Sequence, residues 1–170
     1  MSTLTVAPPS RRDFLYISTA AMATVGVAAW PLIDQMNPDA AIQAFASIDV
    51  DLSAIAVGQI VTVKWHGGPV FIRRRTTEEI ASVADTPHSE LIDPQSDAQR
   101  VQRPEWLIVS GICTHLGCVP TGQEGDHQGW LCHCHGSVYD VSGRVVHGPA
   151  PRNLPVPEYS FLSDTKVKIG

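Results

Sequence analysis

The sequence predicts a mainly β chain that follows a single N-terminal transmembrane helix. Three observations support this prediction: 13 glycines and 13 prolines, an aromatic fraction of only 6%, and one long uncharged segment near the start. Frequent glycine and proline favour short strands joined by turns over a helical bundle. A length of 170 residues allows one globular domain with an appendage. The net charge of −5, without a long basic run, predicts no nucleic-acid partner.

The first element is a membrane anchor at residues 13–35, which follows a short arm at residues 1–12. Residues 14–33 carry no charge. A helix of that length spans roughly 30 Å, about the thickness of the hydrocarbon core of a bilayer. The residues from Ser10 to Leu15 also resemble a twin-arginine signal, which exports proteins that are already folded.

The charges beside this segment predict its orientation. Arg11 and Arg12 precede it, whereas Asp34 and Asp39 follow it. The positive-inside rule then leaves the arm in the cytoplasm and the later residues in the periplasm, with the anchor in the inner membrane. The alternative is a cleaved signal peptide, because residues 27–29 are small enough for a cleavage site.

Residues 36–46 connect the predicted anchor to the globular domain at residues 47–170. Asn37 and Pro38 are expected to break or kink the helix. Residues 39–46 fit either a flexible tether or one further helical turn.

The globular domain is predicted to contain short strands and one short helix. Alternating apolar residues and flanking turns indicate the strands. Thr76 and Glu79 match a capping box that opens the helix, which continues to Val83. Residues 85–105 are predicted to be an irregular surface segment. The predicted strands are residues 60–65, 69–75, 106–112, 160–162 and 166–169, with shorter ones at 130–131, 138–139 and 144–146.

Two motifs carry the chemistry of this chain. Residues 113–118 read Cys-Thr-His-Leu-Gly-Cys, and residues 132–137 read Cys-His-Cys-His-Gly-Ser; together they contain all four cysteines. Two Cys and two His at this spacing suit a [2Fe–2S] centre with both His on one iron and both Cys on the other. One cysteine per motif is then left over, as a disulfide requires. A zinc-binding module is the chemical alternative, although zinc would leave two cysteines without a role.

Both motifs resemble those of the Rieske iron–sulfur subunits of bacterial cytochrome bc complexes, which are ubiquinol–cytochrome c reductases. The resemblance extends over nearly the whole chain and includes the arginine pair and residues 61–65, 69–75 and 148–151. It implies a Rieske-type antiparallel β sandwich or barrel that is joined to the anchor by a flexible hinge at residues 36–46. A cluster-binding subdomain is inserted into it at about residues 106–151.

The resemblance also implies the ligands of one [2Fe–2S] cluster. They are Cys113 and Cys132 on one iron, and His115 and His135 on the other. A disulfide between Cys118 and Cys134 would join the two cluster loops. Two thiolates and two neutral imidazoles leave the oxidised site uncharged. An added electron is therefore accepted at roughly −150 to +300 mV, against about −400 mV for plant-type ferredoxins.

The resemblance also implies roles for residues that occupy functional positions of the family. The hydroxyls of Ser137 and Tyr139 are expected to donate hydrogen bonds to a bridging sulfide and to the Cys113 thiolate, which raises the potential. Without the resemblance, they would be a turn residue and a core residue. His135 is expected to form the hydrogen bond with the quinol through Nε2 and to accept its proton, with His115 exposed beside it.

Residues outside the ligand set are expected to surround the cluster. Leu116 is predicted to contact cytochrome b, although packing within the loop would also explain it. Gly148, Pro149 and Pro151 match a proline loop that covers the cluster and would otherwise be a plain surface turn. His133 stands where the family usually has proline, and we expect a surface residue in a looser loop rather than a ligand.

The resemblance implies a subunit that takes an electron from ubiquinol with coupled proton release and passes it to a c-type cytochrome. Its partners would be cytochrome b, the c-type cytochrome, ubiquinol and membrane lipid, and it would be active only in the assembled complex. The alternatives are a Rieske subunit of another exported oxidoreductase, such as arsenite oxidase, and a free Rieske electron carrier.

Overall fold

A computed structural model describes residues 10–37, 46–84 and 86–170 of the chain. The chain separates into two compact units, residues 1–43 and residues 44–170. Most of the predicted arm and of the predicted hinge lies outside the described residues, so both assignments stay predictions.

In its described residues, 10–37, the N-terminal unit contains one helix, α1 (Arg11–Asp34), which is long and apolar enough to cross a membrane. A capping box fixes its start: the Asp13 N–H donates to the Ser10 hydroxyl, and the Ser10 N–H donates to the Asp13 carboxylate. The hydroxyls of Thr19 and Thr24 donate to backbone carbonyls one turn earlier. Their polarity is thereby satisfied within the helix, as an apolar environment requires. The helix begins two residues before the predicted anchor.

The C-terminal unit is built from short antiparallel strands. They form three sheets in the described residues: β1–β10–β9, β2–β3–β4 and β5–β6–β7–β8. The strands are β1 (Ile48–Asp51), β2 (Ile60–Trp65), β3 (Gly68–Arg74), β4 (Trp106–Ser110), β5 (Thr121–Gly122), β6 (Trp130–Cys132), β7 (Ser137–Tyr139), β8 (Val145–His147), β9 (Tyr159–Phe161) and β10 (Lys166–Ile169).

The middle sheet, β2–β3–β4, buries both of its faces. Val70 and Ile72 face one hydrophobic core, which they share with residues of β10, whereas Phe71 and Val109 face a second core. Side chains alternate between the two faces of a strand, so burial on both sides requires a continuous apolar sequence. This explains the unbroken apolar run in β4. The predicted mainly antiparallel β fold is therefore confirmed.

Two strands were not predicted, and one predicted strand is shorter than expected. β1 alternates Ile and Val with two Asp, and it becomes a strand because it pairs with β10 near the C-terminus. β5 has only two residues and pairs with β6. The strand predicted at residues 106–112 ends at Ser110, because the chain there turns into the first cluster loop.

The short helix α2 (Thr77–Ala84) begins with the predicted capping box. The Glu79 N–H donates to the Thr76 hydroxyl over 3.2 Å, and the Thr76 N–H donates to the Glu79 carboxylate over 3.0 Å. Glu79 also pairs with the buried guanidinium of Arg73. The helix is thereby fixed to the middle sheet.

A buried arginine fixes the turn between β7 and β8. Arg100 is 3% exposed and donates to the carbonyls of Ser142, at 2.7 Å, and Leu154, at 2.6 Å. Burial lowers the pKa of its guanidinium to about 10, which the nearby Asp140 carboxylate partly opposes. Arg100 therefore stays protonated at neutral pH and keeps both carbonyls satisfied.

Replacing Arg100 with methionine should destabilise the domain. The Arg100→Met variant leaves two buried carbonyls without donors, and each unmet group costs about 1–3 kcal/mol. We expect the free energy of unfolding in urea to fall by about 3 kcal/mol. Arg103→Met is the control, because the partly exposed Arg103 guanidinium pairs with the exposed carboxylate of Asp164 and lies over the Phe161 ring, where an apolar Met side chain can also pack; the substitution should cost at most about 1 kcal/mol. Equal losses in the two variants would contradict this assignment.

Candidate metal centre

The third sheet supports two loops that approach each other at one end of the domain. The first cluster loop (residues 111–120) connects β4 to β5, and the second (residues 133–136) connects β6 to β7. Trp130 and Tyr139 face each other across β6 and β7, and both are fully buried. They belong to the core that also contains Cys113 and Cys132. The loops therefore rest on a packed apolar base.

Both loops close with the same turn. The Gly117 N–H donates to the Cys113 carbonyl over 3.0 Å, and the Gly136 N–H donates to the Cys132 carbonyl over 2.9 Å. The two glycines have φ angles of +83° and +77°, which residues with a side chain rarely adopt. Each loop thus folds back on its own cysteine within four residues.

The two predicted cysteine ligands are buried and lie next to each other. Cys113 and Cys132 are 3% and 2% exposed, neither is in a disulfide, and both belong to the same core cluster. Burial raises the pKa of the Cys132 thiol, and the adjacent Cys113 raises it further. Burial also opposes ionisation of Cys113, but hydrogen bonds, chiefly from Tyr139, outweigh it and lower the pKa of Cys113. The hydroxyl of Tyr139 thus stabilises negative charge on the Cys113 sulfur.

Tyr139 donates its hydroxyl proton to Cys113. Its Oη lies 3.2 Å from the Cys113 sulfur and accepts a hydrogen bond from the Thr114 N–H, also at 3.2 Å. Burial raises the pKa of Tyr139 to about 12, and the Cys113 contact contributes to the shift. The phenol consequently keeps its proton at neutral pH, and the Thr114 amide aims that proton at the sulfur.

Ser137 is oriented in a similar way. It is 1% exposed, and its hydroxyl oxygen accepts a hydrogen bond from the Ala150 N–H over 3.1 Å. Its own proton is then available to sulfur, and Ser137 contributes to the lowered pKa of Cys113.

The two predicted histidine ligands meet at the surface. The Nδ1 atoms of His115 and His135 lie 3.2 Å apart, and the rings are perpendicular with centroids 4.6 Å apart. Two imidazole nitrogens bound about 2.1 Å from one tetrahedral ion would lie about 3.4 Å apart. The observed separation therefore fits both Nδ1 atoms on one metal ion and leaves both Nε2 atoms free.

The sulfur pair and the nitrogen pair do not converge on a single point. Within the part of the chain that the structure describes, one group of three or more His, Cys, Asp or Glu residues has all its ligand atoms within 4.8 Å of one another, and it consists of Cys118, Cys132 and Cys134. Cys118 and Cys134 form a disulfide, so their sulfurs are not available as thiolates. A single tetrahedral ion would need all four ligand atoms about 3.4–3.8 Å apart. Two separate pairs instead suit a group with two metal ions.

The disulfide joins the two cluster loops, as the resemblance implied. Cys118 ends the turn of the first loop, where its carbonyl accepts from the Cys113 N–H over 2.8 Å. Cys134 lies inside the second loop, two residues from Cys132 and next to His135. The bond therefore holds both loops beside the candidate centre.

A third loop, residues 148–152, packs against both cluster loops. Gly148 has φ of +98°, and a Cβ atom there would lie 2.6 Å from the Cα of Ser137. The Thr114 hydroxyl donates to the Arg152 carbonyl over 2.6 Å. This segment contains the predicted covering residues Gly148, Pro149 and Pro151. Leu116, the predicted docking residue, is 71% exposed.

His133 is exposed at the surface, as expected, and its imidazole contacts a carboxylate. Its Nε2 lies 2.5 Å from the Glu124 carboxylate, so the second cluster loop is attached to the connection between β5 and β6. Glu124 was not predicted, because nothing in its sequence neighbourhood marks it. The Thr114 and Ala150 amides, which donate to Tyr139 and Ser137, were also missed, because almost every residue has a backbone N–H and the sequence does not show which of them donates.

Comparison with known proteins gives two family matches. Residues 50–160 match the family described as "Rieske [2Fe-2S] domain". Residues 1–39 match "Ubiquitinol-cytochrome C reductase Fe-S subunit TAT signal".

Full-length relatives agree with these matches. The chain is 56% identical to the ubiquinol-cytochrome c reductase iron-sulfur subunit of Blastochloris viridis, covering 100% of this chain and 98% of the relative. It is 54% identical to the same subunit of Rickettsia felis (strain ATCC VR-1525 / URRWXCal2), covering 95% and 93%. A chain of the solved structure described as "Hyperthermophilic respiratory Complex III" superposes with a TM-score of 0.56 at 26% identity, covering 89% of this chain and 98% of that one.

Removing the disulfide should destabilise the loops. The double variant Cys118→Ala, Cys134→Ala opens a link between residues 16 positions apart. We expect the free energy of unfolding in urea to fall by about 3 kcal/mol, since a closed loop of this size restricts the unfolded chain. Treating the parent with a reductant should lower its stability to the level of the variant. An unchanged midpoint in both experiments would show that the disulfide does not stabilise this chain.

Proposed function

Because the chain belongs to the Rieske family of ubiquinol–cytochrome c reductase iron–sulfur subunits, we propose that it carries electrons from ubiquinol to a c-type cytochrome. It is an exported, membrane-anchored component of a cytochrome bc complex. Its ligands are Cys113 and Cys132 for one iron of a [2Fe–2S] cluster, and His115 and His135 for the other. The cluster, when bound, supplies a one-electron acceptor of high potential.

The observation that carries this proposal is the separation of the four side chains into two pairs. The thiols of Cys113 and Cys132 are buried in the same core, and the Nδ1 atoms of His115 and His135 face each other at the surface. The hydroxyl of Tyr139 donates to Cys113. Donors aimed at sulfur stabilise added negative charge and so favour the reduced state.

The histidines are the residues that exchange a proton with the quinol in this proposal. His135 is exposed and His115 is partly exposed, so a ligand can approach the Nε2 atoms that iron leaves free. His135 Nε2 accepts the hydrogen bond from the quinol hydroxyl and then its proton. An imidazole suits this role because its protonation changes near neutral pH. Leu116, exposed in the same loop as His115, provides an apolar contact to cytochrome b.

The proposed orientation puts the C-terminal domain in the periplasm. Arg11 and Arg12 at the start of α1 stay in the cytoplasm, and α1 is retained as the anchor in the lipid bilayer. Residues 36–46 act as the hinge of the proposed electron carrier, which lets the domain exchange between its donor and its acceptor.

A redox titration of the full-length chain tests the proposal. Metal analysis should find two irons and two acid-labile sulfides per chain. The reduction potential should lie within the Rieske range of roughly −150 to +300 mV and should fall as pH rises past neutrality, because reduction takes up a proton. A potential near −400 mV that is independent of pH would contradict quinol oxidation. One zinc ion per chain, without iron, would favour a zinc module.

Removing the hydroxyl of Ser137 should lower the potential. In Ser137→Ala the donor that stabilises added negative charge is lost. A hydrogen bond to a charged group is worth about 1.5–3 kcal/mol, and about 59 mV corresponds to tenfold for one electron, so the decrease can reach roughly 100 mV. Ser160→Ala is the control, because Ser160 is exposed on β9. An unchanged potential in Ser137→Ala would show that the Ser137 hydroxyl does not raise the reduction potential.

A further inference from the structure

The loop between β5 and β6, residues 123–129, is fixed to the body of the domain at both of its ends. The side-chain amide of Gln123 donates to the Gly58 carbonyl over 2.8 Å. The guanidinium of Arg73, which is 1% exposed, donates to the Gln128 carbonyl over 3.1 Å. This loop therefore offers a fixed support, although its middle residues lie at the surface.

The backbone of the same loop contains two unfavourable conformations, which the contacts at its ends stabilise. Gln123 and Gln128 have positive φ angles of 60° and 49°, which residues other than glycine rarely adopt. At its end, Gly129 packs so closely on β7 that a Cβ atom would lie 2.1 Å from the Tyr139 carbonyl. The loop is thus tied to the strand that carries the tyrosine of the candidate centre.

One side chain extends from this support to the second cluster loop. The Glu124 carboxylate lies 2.5 Å from Nε2 of His133. His133 is placed between Cys132 and Cys134, and its backbone lacks the ring that would fix φ if the residue were proline. An Nε2–H donates to a carboxylate whether the imidazole is neutral or charged, so the contact does not require protonation.

We propose that Glu124 is a positioning residue of the second cluster loop and acts through His133. The pair holds the segment that carries Cys132 and His135 against the β5–β6 loop. This inference rests on the proposed function, since it assigns the pair a part in positioning two of the proposed cluster ligands. Because the side chain of His133 is exposed and that of Glu124 is partly exposed, their effect is on the local opening of the loop and not on the global stability of the domain.

The test uses Glu124→Ala in the full-length, cluster-loaded chain, with Asp126→Ala as the matched control. Asp126 lies in the same loop and carries the same charge, but it has no hydrogen bond or ion pair with any residue that the structure describes. Both variants remove one carboxylate from the β5–β6 loop, so the change in the charge of this loop is common to both. Only Glu124→Ala removes the contact with His133.

Two measurements separate the variants. The rate at which a phosphine reductant opens the disulfide of Cys134 reports on opening of the second loop. It should rise roughly two- to fivefold in Glu124→Ala and stay at the parent value in Asp126→Ala. The electron paramagnetic resonance line shape of the reduced cluster should change in Glu124→Ala alone. Glu124→Gln should restore both parental results, because the amide oxygen still accepts from His133.

A mutant cycle with His133→Ala completes the test. The single variants Glu124→Ala and His133→Ala should increase the disulfide reduction rate by similar factors, and the double variant should add nothing further. Equal rates in Glu124→Ala and Asp126→Ala, or additive effects in the double variant, would overturn the proposal. If the chain binds no iron, the line-shape measurement is lost and the proposed function fails, whereas the disulfide rate still decides whether the pair holds the loop.

Discussion

The structure depends on one constraint: two thiols must lie side by side in a core while two imidazoles from the same short motifs stay at the surface. The antiparallel pairing of β6 with β7 and the end of β4 meet this constraint, because they bury Cys113 and Cys132 and leave each histidine two or three residues further out. A positive-φ glycine four residues after each cysteine reverses the chain. The disulfide then prevents the two loops from separating.

Buried arginines stabilise the strands and the turn that support the cluster loops. The Arg73 guanidinium lies over the Trp130 ring, 5.4 Å from its centroid, beneath the sheet that carries the second loop. Arg100 holds the β7–β8 turn, and Arg144 pairs with Asp140 in the same turn. Buried charges are costly unless they are paired, and each of these has partners in its surroundings. The rigidity of the cluster region thus originates in hydrogen-bonded arginines as well as in apolar packing.

The sequence predicted an element correctly where its residue pattern has a single structural interpretation. The apolar run of β4, the Thr76–Glu79 capping box and the uncharged N-terminal segment each predicted an element that the structure contains. β1 and β5 were missed because strands of four and two residues form through pairing with distant partners, which local sequence does not encode. At the candidate centre, the two motifs predicted the cysteines and histidines that the structure brings together in pairs. The amides of Thr114 and Ala150 and the carboxylate of Glu124 depend on tertiary contacts and could not be found that way.

The central claim is that two histidine nitrogens and two cysteine sulfurs hold a binuclear centre, with the histidines on one iron. Pulsed electron–nuclear double resonance on the reduced full-length chain, with and without ¹⁵N-histidine labelling, tests this most directly. The account predicts couplings from two histidine nitrogens directly bound to iron, both of which shift on labelling. Coupling to a single histidine nitrogen, or to none, would contradict it.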